Sequence, residues 1–398
     1  MTGGGAHRDV VFTFSYETYA DAVSRGMMRP PDRILQSLMT SHEVDGLLVA
    51  NPFRSWQSVI ARSLRGTDPE LPAAPRRQLV TPVRLSRSDP LSIPRLVRAY
   101  RRYDEELRAH ARRLGLRAPA VITTNPLVAA FSPMAWASTV TYFGRDDWLS
   151  YSGRRRYWPA YRLAYRWISE AEIGVAAVSQ QIIDRIAPQG PHAVVPNGVE
   201  PADWAGPVPP VPDWLARIPS PRAIYVGTID ERLDTEGIAV LAAQRPHLQI
   251  VLLGPAPVTD YVAGLRAIPN VHIHPGVGRA ELVAALRNCD VSLLAHRRTP
   301  LTEAMSPLKV YEYVAAGLPV VAIDLPPIHG IDPRVLIAPT TAEMAPFVDA
   351  ALSLGRASDI ERAEFVRRNS WSARHRVVMD LALRPALLRR GEEFSPVL

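Results

Sequence analysis

Apolar residues in this chain fall into two patterns: short continuous runs, and longer stretches that recur every three to four positions. The runs at 10–15, 46–50, 120–124, 138–143, 175–179 and 193–196 predict buried strands. Residues 31–41 predict a helix, with prolines at its start and Ile34, Leu35 and Leu38 on one face. Residues 92–116 predict a longer amphipathic helix, with Leu96, Val97, Tyr100, Leu107, Ala111 and Leu114 opposite a row of arginines. The second half alternates more cleanly. Strands are expected at 223–226, 249–253, 271–274, 291–295 and 320–323. Helices are expected before residue 243 and at 259–267, 279–287, 307–316, 342–354 and 359–368. Near-continuous apolar strands alternating with helices specify an α/β class with doubly wound parallel sheets, whose ligands sit beyond the carboxyl ends of the strands.

Residues 201–221 contain seven prolines, too many for a helix or a central strand, although 213–218 has room for one helical turn. That stretch is expected to be a linker between a domain at 1–200 and a second at 222–370, with a helical segment at 371–398 after them. Two Rossmann-like domains joined in this way are expected to face a central cleft.

Composition narrows the field. At 398 residues and 47% apolar there is material for two cores, which excludes disorder as the main state. No apolar run approaches the roughly 20 residues of a membrane span, and the first residues carry no secretory pattern, so a cytoplasmic protein is expected. Cys289 is the only cysteine, which removes disulfides and cysteine-rich zinc cages. The net charge is +7, and the excess arises in the first half, where 26 arginines face 18 acidic residues. Attraction to an acidic acceptor or peripheral contact with a membrane's inner face follows from such a surface. Nucleic acid is not expected as a partner, because no basic–aromatic recognition motif accompanies the charge. Among all these cations only one is a lysine, Lys309.

Lys309 lies in the stretch from Ser306 to Val321. Ser306 is a suitable N-cap and Pro307 a suitable first helical residue, while Gly317 and Pro319 end the helix. A helix N-terminus offers free amides and about half a unit of positive charge, which suits phosphate. Lys309 adds a full charge in the first turn. Glu312, three residues on, shares its face and can accept hydrogen bonds from two adjacent sugar hydroxyls. The layout suits a nucleoside diphosphate.

The run PLKVYEYVAAGLPVV (307–321) resembles the donor-binding helix of GT-B glycosyltransferases, in particular retaining, family-4-like enzymes of bacterial cell-wall and natural-product pathways. VSQQIIDRI (178–186), VVPNGVE (194–200), YVGTIDERLD (225–234), LLGP (252–255) and the segment 270–296 match in the same order. The resemblance implies a GT-B fold and transfer of a sugar from a nucleotide-diphosphate sugar to a hydroxyl acceptor, small or lipid-linked, with retention. It implies no separate cofactor, since the nucleotide sugar is a co-substrate. By the same resemblance Glu312 holds the donor ribose, and Lys309 with the backbone of Ser306, Pro307 and Leu308 faces the diphosphate. Gly227 and Thr228 let a loop approach the donor, and Val277 lies near the base. Relatives often carry a second Glu where Ala304 stands here, beside Glu303, and an Arg and a Lys where Thr228 and Glu236 stand. Arg232 is then the expected second cation, with Arg297 and Arg298 as further candidates. In the resembled fold the terminal helices cross back onto the first domain.

The catalytic set expected is therefore Lys309 and Arg232 as leaving-group stabilisers, with Asp146 or Asp147 orienting or deprotonating the acceptor hydroxyl. Ser15, in the loop after the first strand, joins Asp146 and Asp147 on the acceptor side. Adjacent aspartates are not a spaced metal pair, so no catalytic metal is expected. His272 and His274 share a strand face without a third ligand and are expected to be structural. Gly3–Gly5 precedes the first strand and so is no phosphate loop. Two other functions fit parts of this pattern: a nucleotide-sugar epimerase of GT-B architecture, and a basic nucleic-acid- or membrane-binding protein without catalysis.

Overall fold

The computed structural model describes residues 8–63 and 69–384, so the Gly3–Gly5 run and residues beyond 384 lie outside the described residues. Two compact units emerge. One comprises residues 1–196 with 374–398, the other residues 197–373.

The first unit is built on a seven-stranded parallel sheet. Its spatial order is Arg77–Val80, Val44–Ala50, Arg8–Thr13, Ala120–Thr123, Thr139–Gly144, Gly174–Ala177 and His192–Val194. Central strands such as Ala120–Thr123 are buried along their whole length, as parallel strands covered on both faces must be. Chain order runs outward from Arg8–Thr13 in both directions, so the loops after Thr13 and Thr123 part at a topological switch point. The helix Ile93–Arg113 buries Leu96, Tyr100, Tyr103, Leu107 and Ala111 against this sheet unit and leaves its arginines wet. Strand Arg77–Val80 was not foreseen, because only its last residue is buried and its apolar pattern is weak. The last described helix, Trp371–Leu383, places its later residues on this unit. His375 Nδ1 lies 2.7 Å from Ser37 Oγ, and the carbonyl of Ala382 accepts from Thr139 Oγ1 at 2.6 Å.

The second unit has a six-stranded parallel sheet in the order Val271–His274, Gln249–Leu253, Arg222–Val226, Val291–Leu294, Val320–Ile323 and Val335–Ala338. Here the switch point falls between Arg222–Val226 and Val291–Leu294. The expected linker at 201–221 is not one: it belongs to the second unit, and the chain passes between units after Pro196. Short helices Pro201–Trp204 and Asp213–Ala216 press Trp204, Leu215 and Ile218 into that unit's core. Prolines stiffen the path, and the three buried apolar side chains anchor it, roughly 1.5–3 kcal/mol each if fully buried. The expected helix at 259–267 is two short turns, Thr259–Val262 and Ala263–Arg266. Among the described residues no helix is long and apolar enough to cross a membrane.

Candidate active site

The helix carrying Lys309 is Leu308–Ala315, one residue shorter at its start than the sequence suggests. Pro307 is the N-cap, not the first helical residue, and no side chain caps this end. Ser306 does not cap the helix. Its hydroxyl accepts from the Asn197 amide at 3.1 Å, and its carbonyl accepts from Asn197 Nδ2 at 2.6 Å. Asn197, from the VVPNGVE run, thereby fixes the loop that enters the helix, a long-range competitor that local capping rules do not see. At the other end Gly317 takes φ +83°, and the amides of Leu318 and Gly317 reach the carbonyls of Tyr313 and Val314. That pairing of hydrogen bonds closes a helix on a left-handed glycine.

Lys309 projects toward the switch point. Its Nζ lies 3.9 Å from the centre of the Tyr225 ring and 3.1 Å from His296 Nε2. His296 follows the strand Val291–Leu294, is buried, and also meets the Tyr225 hydroxyl at 3.2 Å. Burial, then Lys309 and Arg232, hold its imidazole well below the ordinary histidine range, so it is neutral and can accept from the ammonium. Burial and the nearby Arg232 push the Lys309 ammonium down to about 7. A cation so desolvated gains most when an anion arrives.

Gly227 explains how the ammonium comes this close. Its φ is +134°, and a Cβ there would stand 2.9 Å from Lys309 Nζ. Gly254 supports the same loop from behind, since a Cβ on it would meet the Gly227 carbonyl oxygen at 2.1 Å. Thr228 offers its carbonyl to the Tyr225 hydroxyl at 3.4 Å. Arg232 is in the same neighbourhood but engaged. Its Nε and Nη2 donate to Asp230 at 2.8 and 2.6 Å. Burial opposes the charged form of Asp230, yet Arg232 overrides it and the carboxyl titrates below its usual range. Arg297 lies 3.8 Å from both Asp234 and Glu236, and Arg298 pairs with Glu303 in the open.

Glu312 is buried, and burial raises its carboxyl above the usual range against the pull of Arg279. Arg279 Nη1 pairs with Glu312 Oε1, while Nη2 and Nε hold Asp203 at 2.8 and 2.9 Å. The same guanidinium lies 5.3 Å from the Trp204 ring centre. Val277, half-buried, packs on the core just before it. Sequence reading missed His296, Tyr225 and Arg279. A histidine two residues past a buried strand end was the one available signal for His296; nothing local marks the other two. His272 meets Gln249 Oε1 at 2.8 Å, and His274 stacks on Trp214 at 4.0 Å. Among the described residues no group of three potential ligands could hold a metal.

In the first unit the three expected acceptor residues differ in exposure and partners. Asp147 is buried in a turn, where Ser150 Oγ and the Leu149 amide donate to it and Arg185 lies 3.4 Å away. Its role there is to hold the turn, and it presents no open face to a substrate. Asp146 is more open and pairs with Arg145 at 2.7 Å. Ser15 donates to the Thr124 carbonyl at 2.5 Å and stands in the wall of a cavity beyond the strand Arg8–Thr13.

Two parallel sheets, each with its switch point, are the layout of the GT-B fold. Residues 220–354, within the second unit, match the family model described as Glycosyl transferases group 1. A Bacillus subtilis protein assigned to teichuronic acid biosynthesis as the glycosyltransferase TuaH is 30% identical over 104 residues, 26% of each chain. The chain thus matches about a quarter of that relative's length. Sucrose-phosphate synthase from Thermosynechococcus elongatus superposes with TM-score 0.64 at 16% identity, covering 94% of this chain and 98% of that one. A UDP-forming trehalose-phosphate synthase from Burkholderia vietnamiensis gives 0.63 at 15%, with 94% and 99% covered. Anabaena HepE, solved with UDP, gives 0.55 at 13%, with 96% and 97% covered. The resemblance read from the sequence is borne out in fold, and over residues 220–354 in the family model that matches.

Proposed function

We propose that this protein transfers a sugar from a nucleotide-diphosphate sugar to a hydroxyl acceptor, with a UDP-sugar as donor in keeping with the UDP named for two of the similar solved structures. The single observation that carries the reading is Lys309 at an uncapped helix start, desolvated against Tyr225 and His296 and admitted by Gly227. The diphosphate takes the ammonium and the amides of Leu308 and Lys309, and Arg232 turns part of its fork from Asp230 toward the same charge. Glu312 accepts the ribose hydroxyls through Oε2, while Arg279 keeps Oε1 and the carboxylate's orientation. As the sugar–phosphate bond breaks, charge grows on the departing diphosphate, so these groups stabilise the transition state more than the bound donor. In the retaining course the acceptor oxygen bonds the anomeric carbon on the face the phosphate leaves, and its proton passes to that phosphate oxygen. No metal or further cofactor is assigned a role, and cell-wall or natural-product glycosylation is the setting we favour, the former in keeping with the teichuronic acid relative. The acceptor, small or lipid-linked, belongs to the basic first unit, which would also make any peripheral membrane contact.

The test is incubation of the purified chain with a panel of nucleotide sugars, with and without candidate hydroxyl acceptors, in the presence of chelator. Release of nucleoside diphosphate together with a glycosylated product supports the proposal. Conversion of the donor's own sugar without acceptor would replace it with an epimerase, and absence of nucleotide-sugar binding would end it.

A further inference from the structure

The first unit contains a cavity of about 150 Å³ that the donor chemistry does not use. Ser15 and Tyr16 form one wall, beyond the strand Arg8–Thr13, and Arg54 another, beyond Val44–Ala50. It therefore opens at the carboxyl ends of strands beside the switch point, where α/β sheets receive ligands. Four arginines line it, Arg54, Arg84, Arg87 and Arg154, against one carboxylate, Asp89.

That carboxylate is already occupied. Arg84 Nη1 pairs with Asp89 Oδ1, and Tyr100 donates to Oδ2 at 3.4 Å. Tyr157 donates to the Asp89 carbonyl at 3.0 Å. Arg54 donates to the Tyr16 carbonyl at 3.1 Å and lies 3.4 Å from Asp21. The Arg154 guanidinium carbon stands over the Tyr16 ring, 4.0 Å from its centre. A guanidinium held against a ring by cation–π contact loses little freedom when it grips a planar carboxylate or a phosphate with two hydrogen bonds. Neither Arg154 nor Arg87 has a carboxylate partner among the described residues. With its one negative charge spent, the cavity is left with an uncompensated excess of cations in a confined, partly desolvated space, which concentrates the field on an entering anion.

We infer that this cavity holds an anionic group of the acceptor, a phosphate or a carboxylate, an inference that rests on the transferase reading above. Its volume lies well below the roughly 300–1,000 Å³ of sites for drug-sized ligands, so it takes one charged substituent and the ring that bears it. Apolar side chains adjoining the lining residues in sequence are exposed: Trp56 after Ser55, Leu85 after Arg84, and Leu91 two residues past Asp89. A lipid-borne phosphate would rest its chain on such residues, and a soluble sugar phosphate or uronate would leave them wet.

Binding to the full chain separates these sources. Glucose 6-phosphate and glucuronate are titrated against glucose by calorimetry, and vesicles of phosphatidylcholine with or without polyprenyl phosphate are tested by flotation. Each is repeated with Arg87→Gln/Arg154→Gln. We expect an anionic ligand to bind at least tenfold more tightly than its neutral counterpart, and the double variant to lose that preference. Its melting temperature and its UDP affinity, within twofold, should stay at the wild-type values. Arginine dependence confined to vesicles identifies a lipid-borne acceptor; arginine dependence with the free sugar anion identifies a soluble one. Equal binding of charged and neutral ligands by the wild type, or an unchanged preference in the double variant, overturns the inference. Failure of the wild type to bind UDP would instead sink the donor reading and leave the anion measurement standing.

Discussion

In the second unit one ammonium stands against Tyr225 and His296 with a single arginine nearby, whereas the first unit lines a cavity with four guanidiniums. The lysine site is sparse, desolvated and held by strand ends and a helix start. The arginine cavity is crowded and partly wet, with Arg54 and Arg84 on two short paired strands and Arg154 on a 3-10 turn. A desolvated ammonium discriminates sharply between an empty and an occupied site, because an arriving anion restores what burial took away. Arginines at a wet rim attract and orient, and each contributes less. The first design suits charge that develops during reaction, the second charge a substrate already carries.

Breaking the lysine site should have the largest effect. Lys309→Ala is expected to lower turnover at least 100-fold, since it removes the cation facing the leaving group; steady-state rates with donor and acceptor check it, and near-wild-type turnover would exclude Lys309 from the chemistry. Next is Arg279→Ala, which strands the buried carboxylate of Glu312. Discounted for the partial exposure of Arg279, the loss should be about 2 kcal/mol of stability, read by urea denaturation. Gly227→Ala should weaken UDP binding about tenfold by calorimetry, because φ +134° and the closeness of Lys309 both oppose a Cβ.

The pH dependence sharpens the comparison further. With Lys309 titrating at about 7, UDP affinity should be full at acidic pH and fall as pH rises through 7, where the ammonium is lost. Without ligand the sign reverses. This lysine takes up its proton more readily when unfolded, so its contribution to stability grows as pH rises from about 7 toward the ordinary lysine range. Calorimetry and thermal melting from pH 6 to 9 should show opposite slopes. Lys309→Arg should flatten the affinity slope. At the small end is Arg298→Ala, whose exposed pair with Glu303 should leave the melting temperature and UDP affinity at wild-type values.

Much of the architecture could be read along the chain, for a local reason. Parallel strands buried on both faces need unbroken apolar runs, and those at 223–226, 249–253 and 320–323 announce themselves. Edge strands need less, so Arg77–Val80 and Val335–Ala338 passed unseen. The stop at Gly317 was equally plain, because only a left-handed residue closes a helix in that way. The start of the same helix was misread, since Asn197 takes Ser306 away from capping across 109 residues of chain.

The sequence by itself determined that a lone lysine opens a short helix with a glutamate one turn deeper, because helical spacing is a local property. Only the tertiary structure decided what that lysine feels. Tyr225, Gly227 and His296 reach it from two strands that are neighbours in the sheet and about 70 residues apart in the chain. Glu312 likewise meets Arg279 and, through it, Asp203, and a proline-rich stretch that reads as a tether folds down as part of the core. Desolvation and ion pairing depend on distance in space, and no pattern along the chain encodes that distance until the sheet has set its strand order.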